Sequence, residues 1–424
     1  MKRLIALVIL WLLLLPAAVP AADEYGYPIP GAYEATILGT PGPLKAPRPE
    51  RMSVRQLFLD ISPALRKPDV FFYDEGLRCT LAYQDKKAPL VFLIAGTGAD
   101  DQSQKALAMM AALYGAGYHV ITLPSPTHPN FIINASRSHV PGDLTEDAED
   151  LHRAMELAWD RVKADVEVSE FHLCGYSLGG THAAFVARLD EERKVFNFRK
   201  VLLVNPAVNL FNSVNRIEGL LERIPGGPRK IGAYFNRMLA KVTEFYRRGD
   251  YVDIDDNLLY AVYKAHLFSH DESGGLIGLS FRISLAGLIF SSDVMTNSGY
   301  VVPKNRVLGA TDPLGDYFRV AVHLSFLNYF DEYVYPYFRK KRPGLDRSAY
   351  IASLGLRSIE GYLKASPKFG AMTNEDDFIL VKEEVDYLRG LFGERARIYP
   401  RGGHMGNLEY RDNMADFIGF FKQE

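Results

Sequence analysis

The stretch Phe171–Leu189, FHLCGYSLGGTHAAFVARL, decides how this chain is read. A short apolar run meets a serine framed by Gly175 and Gly179, and a segment of helical character follows. The letters GYSLGG satisfy the pattern G-x-S-x-G. The reason for that spacing is steric. A serine that attacks a carbonyl has to project from a sharp strand-to-helix turn, where its hydroxyl is open and the next amide faces the substrate oxygen. The turn is crowded, so the residues two before and two after are small. A glycine-rich turn with an incidental serine carries the same letters, so the surroundings of Ser177 have to decide.

Working outward, the chain alternates. CTLAYQ reads as a strand. LVFLIAG is a buried strand bounded by Gly96, and SQKALAMMAALYGAG has helical spacing and stops at glycines. YHVITLPSP is a strand ended by prolines. DLTEDAEDLHRAMELAWDRVKAD is a long amphipathic helix, acidic at its start and basic later. KVLLVNPA is a further strand. The pattern returns near the C-terminus, with SPKFGAMTNE and RARIYPRGG as strands and LVKEEVDYLRGLFG and NMADFIGFFKQE as helices. Apolar strands each followed by a helix predict an α/β fold with a mostly parallel sheet covered on both faces. Between about Leu210 and Leu363 the alternation gives way to helical stretches rich in Tyr and Phe, which predicts a mainly helical insertion. Its most apolar piece, GGLIGLSFRISLAGLIF, is short for a span and carries Arg282, so a helix packed on the core is expected.

A serine hydroxyl needs a base, and the base needs an orienting group. Of ten histidines, His172 falls in the strand before Ser177, His182 in the helix after it, and His152 on the amphipathic helix, while His266 and His270 fall in the insertion. His404 differs. It lies in YPRGGHMGNL, a glycine-rich loop after the last strand, aimed at the sheet edge where open α/β sheets place their sites. The acid should come between Ser and His in chain order. MTNEDDFIL offers Asp376 and Asp377 after a strand; Asp377 is favoured, Asp376 stays open, and helix capping is the alternative use of either. Two amides should hold a developing oxyanion. They are those of Leu178, next to the serine, and Thr97, in the AGTGADD loop. That loop lacks the spacing and the lysine of a nucleotide cradle.

These elements together resemble the α/β-hydrolase superfamily. LIAGTG is similar to its oxyanion loop, GYSLGG to its nucleophile elbow, TNEDDF to its acid loop and RGGHMGN to its histidine loop. The resemblance covers about residues 53–209 and 364–424. GGHMG is similar to the histidine loop of esterases of the monoacylglycerol-lipase type. Ala95 stands where a histidine usually opens the oxyanion loop, a departure that bears on sub-family and not on the three candidate residues. The resemblance implies an α/β-hydrolase fold whose helical insertion, residues 210–363 after the sixth strand, forms a cap or lid. It implies a serine hydrolase of carboxylic esters with Ser177, His404 and Asp377 as catalytic residues, a small-molecule or lipid-like acyl ester as substrate, and no cofactor. The same residues also suit an acyltransferase or a peptidase, and the fold also serves as a non-catalytic binding module.

The flanks complete the reading. Lys2 and Arg3 precede the apolar run Leu4–Leu15, which is too short for a full span of about 20 residues. PAAVPAA then offers small residues, so residues 1–21 read as a signal peptide cleaved near Ala21 or Ala22. Export to a periplasmic or extracellular compartment is expected, with no stable transmembrane anchor after cleavage. Residues 22–52, rich in Pro and Gly, read as an extended surface arm and not as a helix. Net charge is −2, which gives no footprint for nucleic acid. Cys79 and Cys174 are the only cysteines and read as one disulfide or two buried thiols. No zinc motif is present, and Asp253–Asn257 lacks the features of a calcium loop.

Overall fold

A computed structural model describes residues 25–61, 67–248 and 256–423. The expected signal peptide and Asp253–Asp255 of the acidic turn lie outside the described residues. One sheet of eight strands organises the chain: β1 (Val54–Leu59), β2 (Leu77–Ala82), β3 (Ala88–Ile94), β4 (His119–Leu123), β5 (Val168–Tyr176), β6 (Val201–Val204), β7 (Phe369–Asn374) and β8 (Ala396–Tyr399). Their spatial order is β1-β2-β4-β3-β5-β6-β7-β8. β2 runs antiparallel to β1 and β4, and every other pair is parallel. This is the α/β-hydrolase fold. Strand β1 adds to the strands read above. Only Leu57 and Leu59 are buried on it, so it carries little apolar signal.

Every residue of β4, β6 and β7 is buried, as a sheet covered on both faces requires. On one face lie α3 (Leu144–Val162) and α4 (Leu178–Arg193), packed through Leu151, Met155, Ala183 and Val186 onto Phe92, Leu173 and Leu203. On the other lie α2 (Gln104–Gly115) and α7 (Arg411–Lys422), which bring Met109, Leu113, Phe417 and Phe421 to Val91, Val120 and Leu202. Alternate residues of each strand thus feed two separate cores. Helix α3 starts where Asp143 accepts the Glu146 amide at 3.1 Å, with Glu146 and Asp147 in its first turn. Cys79 and Cys174 are buried free thiols.

Between β6 and β7 the chain leaves the sheet. Helices α5 (Leu210–Gly219) and α6 (His270–Thr296) are the parts of this segment that matter for the site. Among the described residues α6 alone is long and apolar enough to cross a membrane, and 61% of its apolar window is buried inside the protein. Arg282 on α6 is buried and donates to Glu218 of α5 at 2.6 Å, so the charge that spoils a membrane span is paired internally.

The N-terminal segment corrects the reading of residues 22–52 as an extended surface arm. Tyr27 and Ile29 are fully buried, and Ala32–Leu38 form a helix, α1, with Tyr33 and Ala35 inside. Pro28 and Pro30 keep the entry extended, but AYEATIL after Gly31 is free to turn. What selects helix there is contact with the loop after β8, a tertiary fit with no local signature.

Candidate active site

The parallel register carries the ends of β3, β5, β7 and β8 to one edge, so the four loops after them converge. Ser177 follows β5 with φ +54° and ψ −126°, a conformation that costs an L-residue about 1–3 kcal/mol. Its amide donates to the Val204 carbonyl at 2.8 Å, and the turn passes directly into α4. The flanking glycines are forced. A Cβ on Gly175 would lie 2.0 Å from the Gly179 carbonyl oxygen, and one on Gly179 would lie 2.3 Å from that of Ile94. The elbow therefore touches the neighbouring strand backbone without any side chain between.

His404 comes from the loop after β8. Its Nε2 is 2.9 Å from Ser177 Oγ, and its Nδ1 is 3.1 Å from both carboxylate oxygens of Asp377. Asp377 is buried, and its acceptor capacity is further filled by Asn205 Nδ2 at 2.8 Å and the Ile379 amide at 3.3 Å. A carboxylate accepting from Nδ1–H leaves Nε2 as the acceptor towards the serine hydroxyl. Asp376 faces elsewhere. It accepts the amides of Gly403 at 2.9 Å and Gly402 at 3.2 Å, so it holds the histidine loop and not the imidazole. Burial pushes the Asp376 carboxyl up, and the two glycine amides pull it back.

Thr97 and Leu178 line one cavity. Neither amide hydrogen-bonds elsewhere among the described residues, whereas the Gly98 amide is taken by Thr127 Oγ1 at 2.8 Å. Thr127 in turn shares a hydrogen bond with Ser125 at 2.8 Å, which pins the loop that presents Thr97. Two free amides beside a serine can hold a negative oxygen. The cavity has a volume of about 40 Å³. Its walls are Leu210 and Val214 of α5, Phe281, Leu285 and Leu288 of α6, and Phe330 beyond. Gly98 lies against Ser284 of α6 so closely that a Cβ on Gly98 would be 2.8 Å from the serine's own. The insertion thus sits directly on the loop of Thr97.

Four of the other histidines have partners of their own. His152 lies between Asp190 at 3.0 Å and Glu156 at 2.6 Å. His182 contacts Asp147 at 3.2 Å from within α4, and His172 is buried against Tyr118 and Phe421. His270 stacks on Tyr33 with ring centroids 4.4 Å apart. None of these joins Ser177. Three contributors escape a reading of the sequence: Asn205, Thr127 and Thr36, whose hydroxyl accepts the His404 amide at 2.8 Å. Asn205 had a signal, since a polar residue just past an apolar strand sits on the edge where the site forms. Thr36 had none, because its segment is distant in sequence.

No protein-family model matches the chain, and no curated protein matches it. Solved structures similar to it include a membrane phospholipase A described as a bacterial virulence factor. It is 16% identical, with 99% of this chain and 98% of that one covered and a TM-score of 0.42. Carboxyl esterase 2 of the fungus Tuber melanosporum is 14% identical, with coverage of 92% and 96% and a TM-score of 0.42. A thioesterase domain from the curacin biosynthetic pathway is 15% identical, with coverage of 88% and 100% and a TM-score of 0.37.

Proposed function

We propose that this chain, which has the α/β-hydrolase fold, is a serine hydrolase of carboxylic esters. One observation carries the reading: the hydrogen-bonded series Ser177–His404–Asp377 begins at a strained elbow and lies beside two amides without a partner among the described residues. In this mechanism His404 Nε2 takes the Ser177 proton as Oγ bonds to the acyl carbon. The carbonyl electrons move to oxygen, which the Thr97 and Leu178 amides hold, at about 3 to 4 kcal/mol per donor. Collapse expels the alkoxide, which receives the proton from His404. Water then repeats the sequence on the acyl-enzyme and releases the acid. Asp377 keeps the imidazole in its tautomer and stabilises the imidazolium. No step needs a metal or an organic cofactor.

The substrate proposed is an ester with a slender apolar acyl group, because the cavity beside Leu178 is narrow and its walls are aliphatic and aromatic. Export follows from the leader at residues 1–21; N-terminal sequencing of the processed protein tests it, and an intact Met1 on the active form would sink it. For the catalytic reading, a fluorophosphonate probe should label the wild type at Ser177 and leave Ser177→Ala unlabelled. Undiminished label on that variant refutes the assignment.

A further inference from the structure

The loop that carries His404 has one good backbone bond of its own across the histidine, from the Gly406 amide to the Gly402 carbonyl at 2.9 Å. Gly402, Gly403 and Met405 all have positive φ, and the segment belongs to no strand or regular helix. The rest of its grip comes largely from outside. Asp376 takes two of its amides, Asn374 Nδ2 donates to the Gly403 carbonyl at 2.7 Å, and Lys105 Nζ donates to the Met405 carbonyl at 3.2 Å. The amide of His404 itself goes to Thr36 Oγ1 at 2.8 Å. Thr36 directs its own hydroxyl hydrogen to the Ala32 carbonyl at 2.7 Å, which leaves its lone pairs facing His404. The hydroxyl is thereby fixed as an acceptor.

Helix α1 is seated on this loop backbone to backbone. A Cβ on Gly403 would lie 2.0 Å from the Ala32 carbonyl oxygen, and one on Gly406 would lie 2.1 Å from that of Ala35. Two further ties fix the segment along its length. Arg401, just before the loop, donates to the carbonyls of Tyr27 at 2.8 Å and Tyr25 at 2.6 Å. Asn407, just after it, donates to the Tyr25 hydroxyl at 2.7 Å. Tyr33 reaches the other side, where it packs edge-on to Phe378, itself 6.0 Å from the His404 ring.

We infer that Thr36 is a positioning residue for His404, and that the segment from Tyr25 to Leu38 is a brace that keeps the imidazole in register with Ser177 and Asp377. The inference rests on the hydrolase reading above. Its physical basis is tolerance: an error of about 1 Å in a catalytic group costs on the order of 100-fold in rate. The closest acceptor that sets the His404 backbone is a side chain more than three hundred residues away in sequence.

Thr36→Val keeps the volume and removes the acceptor; Thr36→Ser keeps the acceptor and removes the methyl. In the purified protein carrying residues 25–424, Thr36→Val should lower kcat by about 10- to 100-fold on a short-chain ester with KM within about twofold. Thr36→Ser should recover kcat to within about threefold. Hydrogen exchange at residues 403–405 should quicken in the valine variant and not in the serine one. Thr36→Ala replaces Thr36→Val should the latter fail to fold. A valine variant with unchanged kcat and unchanged exchange overturns the inference, as does a serine variant that fails as badly as the valine one. A wild type inert to the fluorophosphonate overturns the hydrolase reading instead, and the positioning role falls with it.

Discussion

The sheet edge and the helical insertion above it meet at Gly98 and Ser284, yet they are held by different forces. At the edge each candidate group is fixed by directed bonds: Ser177 by a forced elbow, Asp377 by Asn205 and the Ile379 amide, His404 by Asp377 and Thr36. In the insertion the residues facing the cavity are fixed by packing, as where Phe326 and Phe330 meet each other and Phe211 with ring centroids 4.8 to 5.9 Å apart. Directed bonds hold atoms to tenths of an ångström, which bond-making demands. Packing holds a shape, which is enough to select an acyl chain. Edge variants should therefore change the chemistry and spare the fold, and insertion variants should change stability or acyl-chain selectivity and spare the bond-making.

The sharpest break of that contrast comes from the serine. Ser177→Ala should lower esterase turnover by about 10⁴-fold or more with an unchanged melting temperature; residual activity within 100-fold of wild type would remove the edge from the chemistry. Next come the two adjacent acids. Asp377→Asn should cost on the order of 10⁴-fold in kcat, since the wrong tautomer of His404 is then favoured. Asp376→Asn should cost far less, because it only loosens the loop amides. Equal losses would show that the pair acts as one unit.

In the insertion the largest effect is on stability. Glu218→Leu leaves Arg282 buried without its partner and should destabilise the protein by about 3–5 kcal/mol, read by urea unfolding. Retention of full stability would mean that the pair contributes nothing. Smaller again is the change in selectivity. Leu288→Trp should fill the cavity and lower kcat/KM on longer acyl esters by about tenfold relative to acetyl esters, a cost within the reach of one lost apolar contact. A uniform loss across chain lengths would place the acyl group elsewhere.

The last test lies at the seam between the two regions and is one of slope. Asp147 accepts the amide of Gly142, a residue of the cavity wall, and contacts His182. Burial raises its carboxyl from 3.8 to about 6, opposed by the bond to His182. Between about pH 4 and pH 6 the folded state keeps a proton that the unfolded state has released. This group therefore favours folding below that window and loses its contribution as pH rises through it. Melting temperatures across pH 4 to 7 should show a shallower fall for Asp147→Asn than for the wild type. Parallel curves would put the slope on other groups.

Much of the edge was legible because its groups follow local patterns. The glycines around Ser177 are required by contacts inside one turn. His404 stands in a loop whose glycines announce sharp turns. Asp376 and Asp377 are adjacent, and local spacing favours the second without deciding it: which one meets the imidazole depends on how the loop after β7 faces the loop after β8. The N-terminal segment was misread for a related reason. Its prolines suggested an arm on the surface, while the loop that buries Tyr27 and seats α1 lies at the far end of the chain.

Alone, the sequence determined the alternation that makes a parallel sheet, the crowded turn at Ser177, the chain order of serine, acid and histidine, and the packing of the Arg282 helix on the core rather than across a membrane. Periodicity and turn sterics are short-range, so they are written within a dozen residues. Tertiary structure alone decided that Asp377 and not Asp376 faces His404, that Asn205 and Thr36 hold them, and that the insertion closes a narrow apolar cavity beside Leu178. These are contacts between segments far apart in the chain, set by the register of the strands and by the absence of Cβ atoms where backbones touch, and no local pattern encodes them.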